Sequence, residues 1–167
     1  MLDPCYGPAR ADFFRYLYLY TVGGTWLDIK SSWKNDDMYD MLSPMPGLLM
    51  TTWGFPQQRE EFDDEFVSRY PCARHGEIEN WHLTCRPRHP FVRELLDVVV
   101  TEILAEHDRV TKGQPPTYMD KIGVLRLTGP LAMSKVFYRC MATTAIDISF
   151  FFGIGHKSLQ REYDTLK

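Results

Sequence analysis

Gly23-Gly24-Thr25-Trp26-Leu27-Asp28-Ile29-Lys30 is the stretch on which the fold reading turns. A glycine pair leaves an apolar, helix-like run and feeds a short strand-like run that carries a lone carboxylate. Strand side chains alternate between faces. Trp26, Asp28 and Lys30 are therefore expected on one face, with Leu27 and Ile29 on the other. An aromatic ring, an acid and a base together suit an anionic ligand that contains a ring.

The run before it opens with Ala11-Asp12-Phe13-Phe14-Arg15-Tyr16. Asp12 and Arg15 are three apart and share a helix face. Phe13, Phe14, Leu17, Tyr18 and Leu19 make the helix apolar almost all round, as for a buried helix. A charged pair there needs a partner or a ligand. The structural alternative is an internal Asp12–Arg15 ion pair, with Asp28 as a turn residue at the strand end.

The order Ala-Asp-x-x-Arg-Tyr, short apolar helix, Gly-Gly-x-aromatic-Leu-Asp resembles the DXD-containing sugar-nucleotide glycosyltransferases. That group includes initiating mannosyltransferases, capsular polysaccharide transferases and large clostridial glucosylating toxins. The resemblance covers Ala9 to about Ser32. Weaker echoes follow at Glu79-Asn80-Trp81-His82 through Arg88-His89-Pro90 and at Thr128-Gly129-Pro130.

The resemblance implies an α/β chain of the GT-A fold and retaining transfer from a UDP- or GDP-sugar to a hydroxyl of a glycan, lipid or protein. It implies that Asp12 and Arg15 contact the donor's nucleoside and sugar, and that Trp26 fills the aromatic position before the motif. Asp28 corresponds to the first DXD aspartate, beside the ribose and the metal-bound diphosphate. Asn80 matches a polar position toward the acceptor side of the sugar, and His156 matches a late histidine that helps hold the metal or diphosphate. Histidines 75, 82, 89 and 107 have no spacing that singles out a metal site, and His89 before Pro90 is expected to be structural.

Lys30 departs from the pattern, because the second aspartate of the motif normally binds Mn²⁺ or Mg²⁺. A hard divalent cation neutralises the leaving diphosphate as a Lewis acid. An ammonium in that place removes one ligand and sets a like charge beside the metal. Two unit charges roughly 4 Å apart interact by about 4 kcal/mol at an effective dielectric near 20. The expectations are metal-independent transfer with Lys30 on the diphosphate, weakened metal use through Asp28, or lost activity.

Two other classes stay open. One is a non-catalytic sugar-nucleotide-binding or interaction domain. The other is a hydrolase using Asp12 and Asp28 as paired carboxylates across an open cleft.

The 167 residues suit a single domain, 1–167. A content of 44% hydrophobic and 14% aromatic residues supports a packed core. A net charge of −3 and no Lys/Arg-rich run give no sign of nucleic-acid binding. No segment reaches the roughly 18 apolar residues of a membrane span, and Met1-Leu2-Asp3-Pro4-Cys5 has no signal-peptide pattern. The resemblance implies the Golgi lumen or a membrane-associated setting for a full-length eukaryotic member, and the cytoplasm otherwise. It also implies a nucleotide-binding βα unit ahead of the first helix. A partial fold lacking roughly one hundred residues, with an exposed sheet edge, is therefore expected.

Cys5, Cys72, Cys85 and Cys140 form no CxxC pair, so they read mainly as buried thiols. Strands are expected at 48–53, 78–85 and 146–152. A helix is expected from Pro90 to Glu106, with Val92, Leu95, Leu96, Val99 and Ile103 inward. The acidic run 60–66 reads as a solvated face, and 111–120 as a loop. Thr128 is expected to cap a helix that starts at Pro130, where the exposed amides suit an anion.

Overall fold

The computed structural model describes residues 7–29, 31–33, 47–51, 62, 64–118, 121–143, 148–151 and 159–161. In chain order the elements are helix α1 (Gly7–Val22), strands β1 (Gly24–Leu27), β2 (Ser31–Trp33) and β3 (Leu48–Thr51), and the short helix α2 (Asp64–Arg69). A 3-10 turn (Pro71–His75) leads to β4 (His82–Cys85). Helices α3 (Pro90–Thr111), α4 (Lys121–Leu127) and α5 (Pro130–Thr143) follow, then β5 (Ile148–Phe151) and β6 (Leu159–Arg161). The chain is a mixed helix-and-sheet protein.

The main sheet runs β1-β4-β3-β5. β1 and β3 both pair antiparallel to β4, with Gly24 and Leu48 each opposite Cys85. β3 and β5 are parallel, Leu48 opposite Ile148. β2 and β6 form a separate antiparallel pair. β1 sits at one edge of the main sheet as described.

α3 carries the core. His89 caps it, its Nδ1 accepting from the Phe91 amide at 3.2 Å, and Pro90 occupies the first turn. Phe91, Val92, Leu95, Leu96 and Val99 are buried. They meet Val136 and Phe137 of α5 and Leu83 of β4 in one cluster. Each such side chain contributes roughly 1.5–3 kcal/mol by leaving water. Gly113, at φ +78°, follows the helix end.

Gly23 sets where α1 meets the sheet. Its amide closes the helix on the Leu19 carbonyl at 2.9 Å, and its φ of +74° lies in the left-handed region. A Cβ there would stand 2.5 Å from Pro87 Cδ. Only glycine lets the chain turn this tightly against the segment after β4.

α1 corrects the expectation of a helix buried all round. Asp12 and Arg15 are 7% and 5% exposed, whereas Phe14, Leu17 and Tyr18 are 55%, 42% and 45% exposed. The polar pair faces the core because its partners come from three other segments. The aromatic residues face outward, with Phe14 edge-on to Trp26 at 6.1 Å and 6.0 Å from Tyr18.

The remaining boundaries shift modestly. The strand expected at 78–85 is regular only over His82–Cys85, and Trp81, His82 and Leu83 are all buried rather than alternating. α4 occupies a stretch for which no element was expected. Residues 52 and 53, most of 60–63, and residues 119 and 120 lie outside the described residues. Cys85 and Cys140 are buried thiols outside any disulfide, Cys72 is an exposed one, and Cys5 lies outside the described residues. Among the described residues no helix is long and apolar enough to cross a membrane.

Candidate functional site

α1 places Asp12 and Arg15 one turn apart, with Arg15 Nη1 3.5 Å from Asp12 Oδ1. The turn at Gly23 reverses the chain into β1, which carries Trp26. Asp28 lies one residue past the strand, its amide donating to the Trp81 carbonyl at 2.9 Å. That pairing fixes the strand end against the segment that holds Asn80.

The side chains then converge. Arg15 Nη2 donates to Asp28 Oδ1 at 2.8 Å, and Nη1 donates to the Asn80 backbone carbonyl. Trp26 Nε1 donates to the same Asp28 oxygen at 3.2 Å, and the guanidinium carbon sits 5.2 Å from the Trp26 ring centroid. Such a cation over an indole face gains about 0.5–2 kcal/mol. Asn80 Nδ2 donates to Asp12 Oδ1 at 3.0 Å. Thr128 Oγ1 donates to Asp12 Oδ2 at 3.1 Å, and Tyr16 donates to the Thr128 carbonyl at 2.9 Å.

One guanidinium thus serves two carboxylates. Burial pushes Asp12 up, and the nearby Asp28 charge adds to that. Arg15, the Thr128 hydroxyl and the Asn80 amide pull it down, leaving it at about 6. Burial, and then the Asp12 charge, push Tyr16 above the ordinary phenol range, so it stays a neutral donor. Asp28 keeps 28% of its side chain exposed. The cluster therefore presents a part-exposed, Arg-paired carboxylate beside a part-exposed indole, above a closed polar base.

Asp12, Arg15, Trp26, Asp28 and Asn80 each have a place. Trp26 and Asp28 come together as the alternation requires, although the strand ends before Asp28. Asp12 and Arg15 form the internal helix pair, and Arg15 also reaches Asp28. Asn80 joins the cluster, with its side chain committed to Asp12. The hydroxyl of Thr128, the residue expected to cap α5, donates to Asp12. Lys30 and His156 lie outside the described residues. Tyr16 and the Thr128 hydroxyl are the members that sequence reasoning missed. The tyrosine at one helical turn from Asp12 was the available signal.

The donor set that the described residues form fits a metal poorly. Among the described residues no group of three or more His, Cys, Asp or Glu is placed to hold an ion. One oxygen of Asp28 already accepts from both Arg15 and Trp26, and Asp12 is buried beneath neutral donors. A hydrolase pair fares no better, since a guanidinium bridges the two carboxylates where water and a glycosidic bond must sit.

Among the described residues, two clefts lie away from the cluster. One of about 350 Å³ opens between α3, α4 and the segment at Thr117. Another of about 310 Å³ lies between α3 and α5. Neither borders the Asp12 cluster. No protein-family model, no curated protein and no solved structure matches this chain.

Proposed function

We propose that this chain is a glycosyltransferase-like domain of GT-A type that binds a UDP- or GDP-sugar and transfers the sugar to a hydroxyl acceptor. One observation carries the reading. The three separated segments that resemble the DXD transferases, through Asp12, Arg15, Trp26 and Asp28, through Asn80, and through Thr128, meet around a single guanidinium.

In this reading Arg15 holds Asp28 in place and supplies positive charge near the diphosphate. Asp28 accepts from a ribose hydroxyl, and Trp26 packs on the base or ribose. Asn80 supports this arrangement from the acceptor side through its bond to Asp12. Lys30 follows Asp28 closely in the chain and replaces part of the charge that Mn²⁺ or Mg²⁺ supplies in the resembled enzymes; His156 is the remaining candidate for that role. The retaining outcome comes from the resemblance alone.

A second reading is a non-catalytic sugar-nucleotide-binding or interaction domain. The observation favouring it is that Asp28 is held in an ion pair with Arg15 and no acidic cluster joins it among the described residues.

A donor screen separates the two. Nucleotide diphosphate release and binding are measured for UDP- and GDP-sugars with Mn²⁺, with Mg²⁺ and with EDTA, on the parent and on Asp28→Ala. Release that survives EDTA and is lost in Asp28→Ala supports transfer. Binding without release favours the second reading. A folded chain that neither binds nor releases under any condition refutes nucleotide-sugar recognition.

A further inference from the structure

We propose that Thr128 is a positioning residue which, through Asp12, governs how the Arg15 guanidinium is shared between Asp12 and Asp28, and so sets the charge that the site offers an anionic ligand. The ligand half rests on the nucleotide-sugar reading; the coupling half stands on geometry alone.

Thr128 is held at both ends. Its residue is fully buried, its carbonyl accepts from Tyr16 at 2.9 Å, and its hydroxyl donates to Asp12 at 3.1 Å. Tyr16 and Asp12 are four apart on α1, so one residue of the α4–α5 junction grips one face of that helix twice. The junction itself has little freedom. The Thr128 and Gly129 amides both return to the Val124 carbonyl at 3.1 Å. A Cβ on Gly129 would stand 2.8 Å from Leu125 Cα. The hydroxyl is therefore delivered to Asp12 from a rigid support.

The consequence falls on Arg15. Asp12 and Asp28 compete for the same guanidinium, at 3.5 Å and 2.8 Å. Thr128 and Asn80 each occupy one Asp12 oxygen with a neutral donor. Asp12 is thereby satisfied without a close ion pair, and Arg15 turns to Asp28. Among the described residues, the charged or titratable groups that enter this balance with Asp12 are Arg15 and Tyr16 from α1, and Asp28 from beyond β1. With Asp12 ionised, the Asp12–Arg15–Asp28 trio carries one net negative charge. With Asp12 protonated it is neutral and opposes a diphosphate less.

The test starts without ligand. Carboxyl carbon NMR follows Asp12 from pH 4 to 8 in the parent, Thr128→Val and Thr128→Ser. Valine keeps the shape and removes the hydroxyl, so the Asp12 midpoint is expected to rise by about one unit; serine is expected to restore it. An unmoved midpoint in Thr128→Val, or equal movement in Thr128→Ser, overturns the proposal. Should the valine variant not fold, the parent decides. Its Thr128 methyl and Arg15 guanidinium resonances are expected to shift with the Asp12 midpoint, and Arg15 signals indifferent to it overturn the coupling.

UDP-glucose and GDP-mannose then serve as probes, since their diphosphates do not titrate in this range. Affinity for the one that binds is expected to rise about fivefold as pH falls through the Asp12 midpoint. A flat profile overturns the charge half. Absence of binding at every pH overturns the nucleotide-sugar reading and that half with it, while the ligand-free titration still decides the coupling.

Discussion

Arg15 and Asp28 are joined at 2.8 Å across thirteen residues of chain that include the glycine reversal. The bond ties the inward face of α1 to the end of β1. It is a structural contact as much as a candidate functional one, because Arg15 is buried and Asp28 is only part exposed.

Removing the guanidinium strands a buried carboxylate. Arg15→Met is expected to destabilise the fold by about 3 kcal/mol, the low end for a broken buried pair, because solvent screens the Asp28 side. Asp12→Asn in the same background is expected to recover part of that loss, since it removes the charge left behind. Urea denaturation of the two single variants and the double variant checks this. Strictly additive effects would show that Asp12 and Arg15 do not communicate.

Asp12 and His82 make opposing contributions to the pH dependence. Asp12 is raised from 3.8 to about 6 by burial. Its folded form holds a proton that the unfolded chain has lost, so the stability it contributes is full below about 3.8 and is lost as pH rises through about 6. His82 is lowered from 6.5 to about 4 by burial. The unfolded chain there takes up a proton that the folded chain refuses, so its contribution is full above 6.5 and is lost as pH falls toward 4. Each amounts to about 3 kcal/mol across its window. The two nearly cancel between pH 4 and 6. Asp12→Asn is expected to leave stability rising with pH there, and His82→Gln to leave it falling. Parallel curves for parent and variants would refute both assignments.

Gly23 offers a test of the reversal itself. Alanine there must adopt φ +74° and place its Cβ 2.5 Å from Pro87. The left-handed conformation alone costs about 1–2 kcal/mol, and the overlap adds to it because a proline ring cannot step aside. Gly24→Ala is the control, since its φ of +97° is at least as unfavourable for alanine but its Cβ would meet nothing within 4 Å. Gly23→Ala is expected to lower the urea midpoint more than Gly24→Ala. Equal losses would mean that contact with Pro87 does not set the turn.

Much of this architecture is legible locally. Val92, Leu95, Leu96 and Val99 recur with helical spacing and are buried on α3, because a regular apolar stripe has one way to leave water. Pro90 and the glycine reversal likewise mark boundaries through their own backbone restrictions. The face that α1 presents was not legible. Its outer and inner positions are both apolar, so periodicity gives no direction. The direction comes from Asn80 and Thr128, which reach Asp12 from 68 and 116 residues away. α4 was missed for a similar reason: its seven residues hold too little pattern, and its place is fixed by packing against α5.

Glu106 supplies a prediction far from the candidate site. It is 5% exposed near the end of α3, where a lone carboxylate is costly to bury. One oxygen accepts from the Thr117 amide at 2.5 Å and the other from Arg109 Nη1 at 2.7 Å. Arg109 also donates to Gln114 at 3.0 Å. The loop between α3 and α4 is thus clasped from both ends by one acid and its partner. Burial alone would raise Glu106, but the Thr117 bonds and Arg109 outweigh it and hold it below the ordinary range. Its contribution is therefore present above about 4.5 and lost as pH falls through the lower folded value. Glu106→Ala is expected to cost about 1–3 kcal/mol and to release the Thr117 amide to hydrogen exchange, while amides of β4 keep their ranking. Glu106→Gln keeps an acceptor for Thr117 but turns an amide donor toward Arg109, so it is expected to fall between parent and alanine. If Thr117 exchanges no faster in Glu106→Ala, the loop is held by something other than this acid.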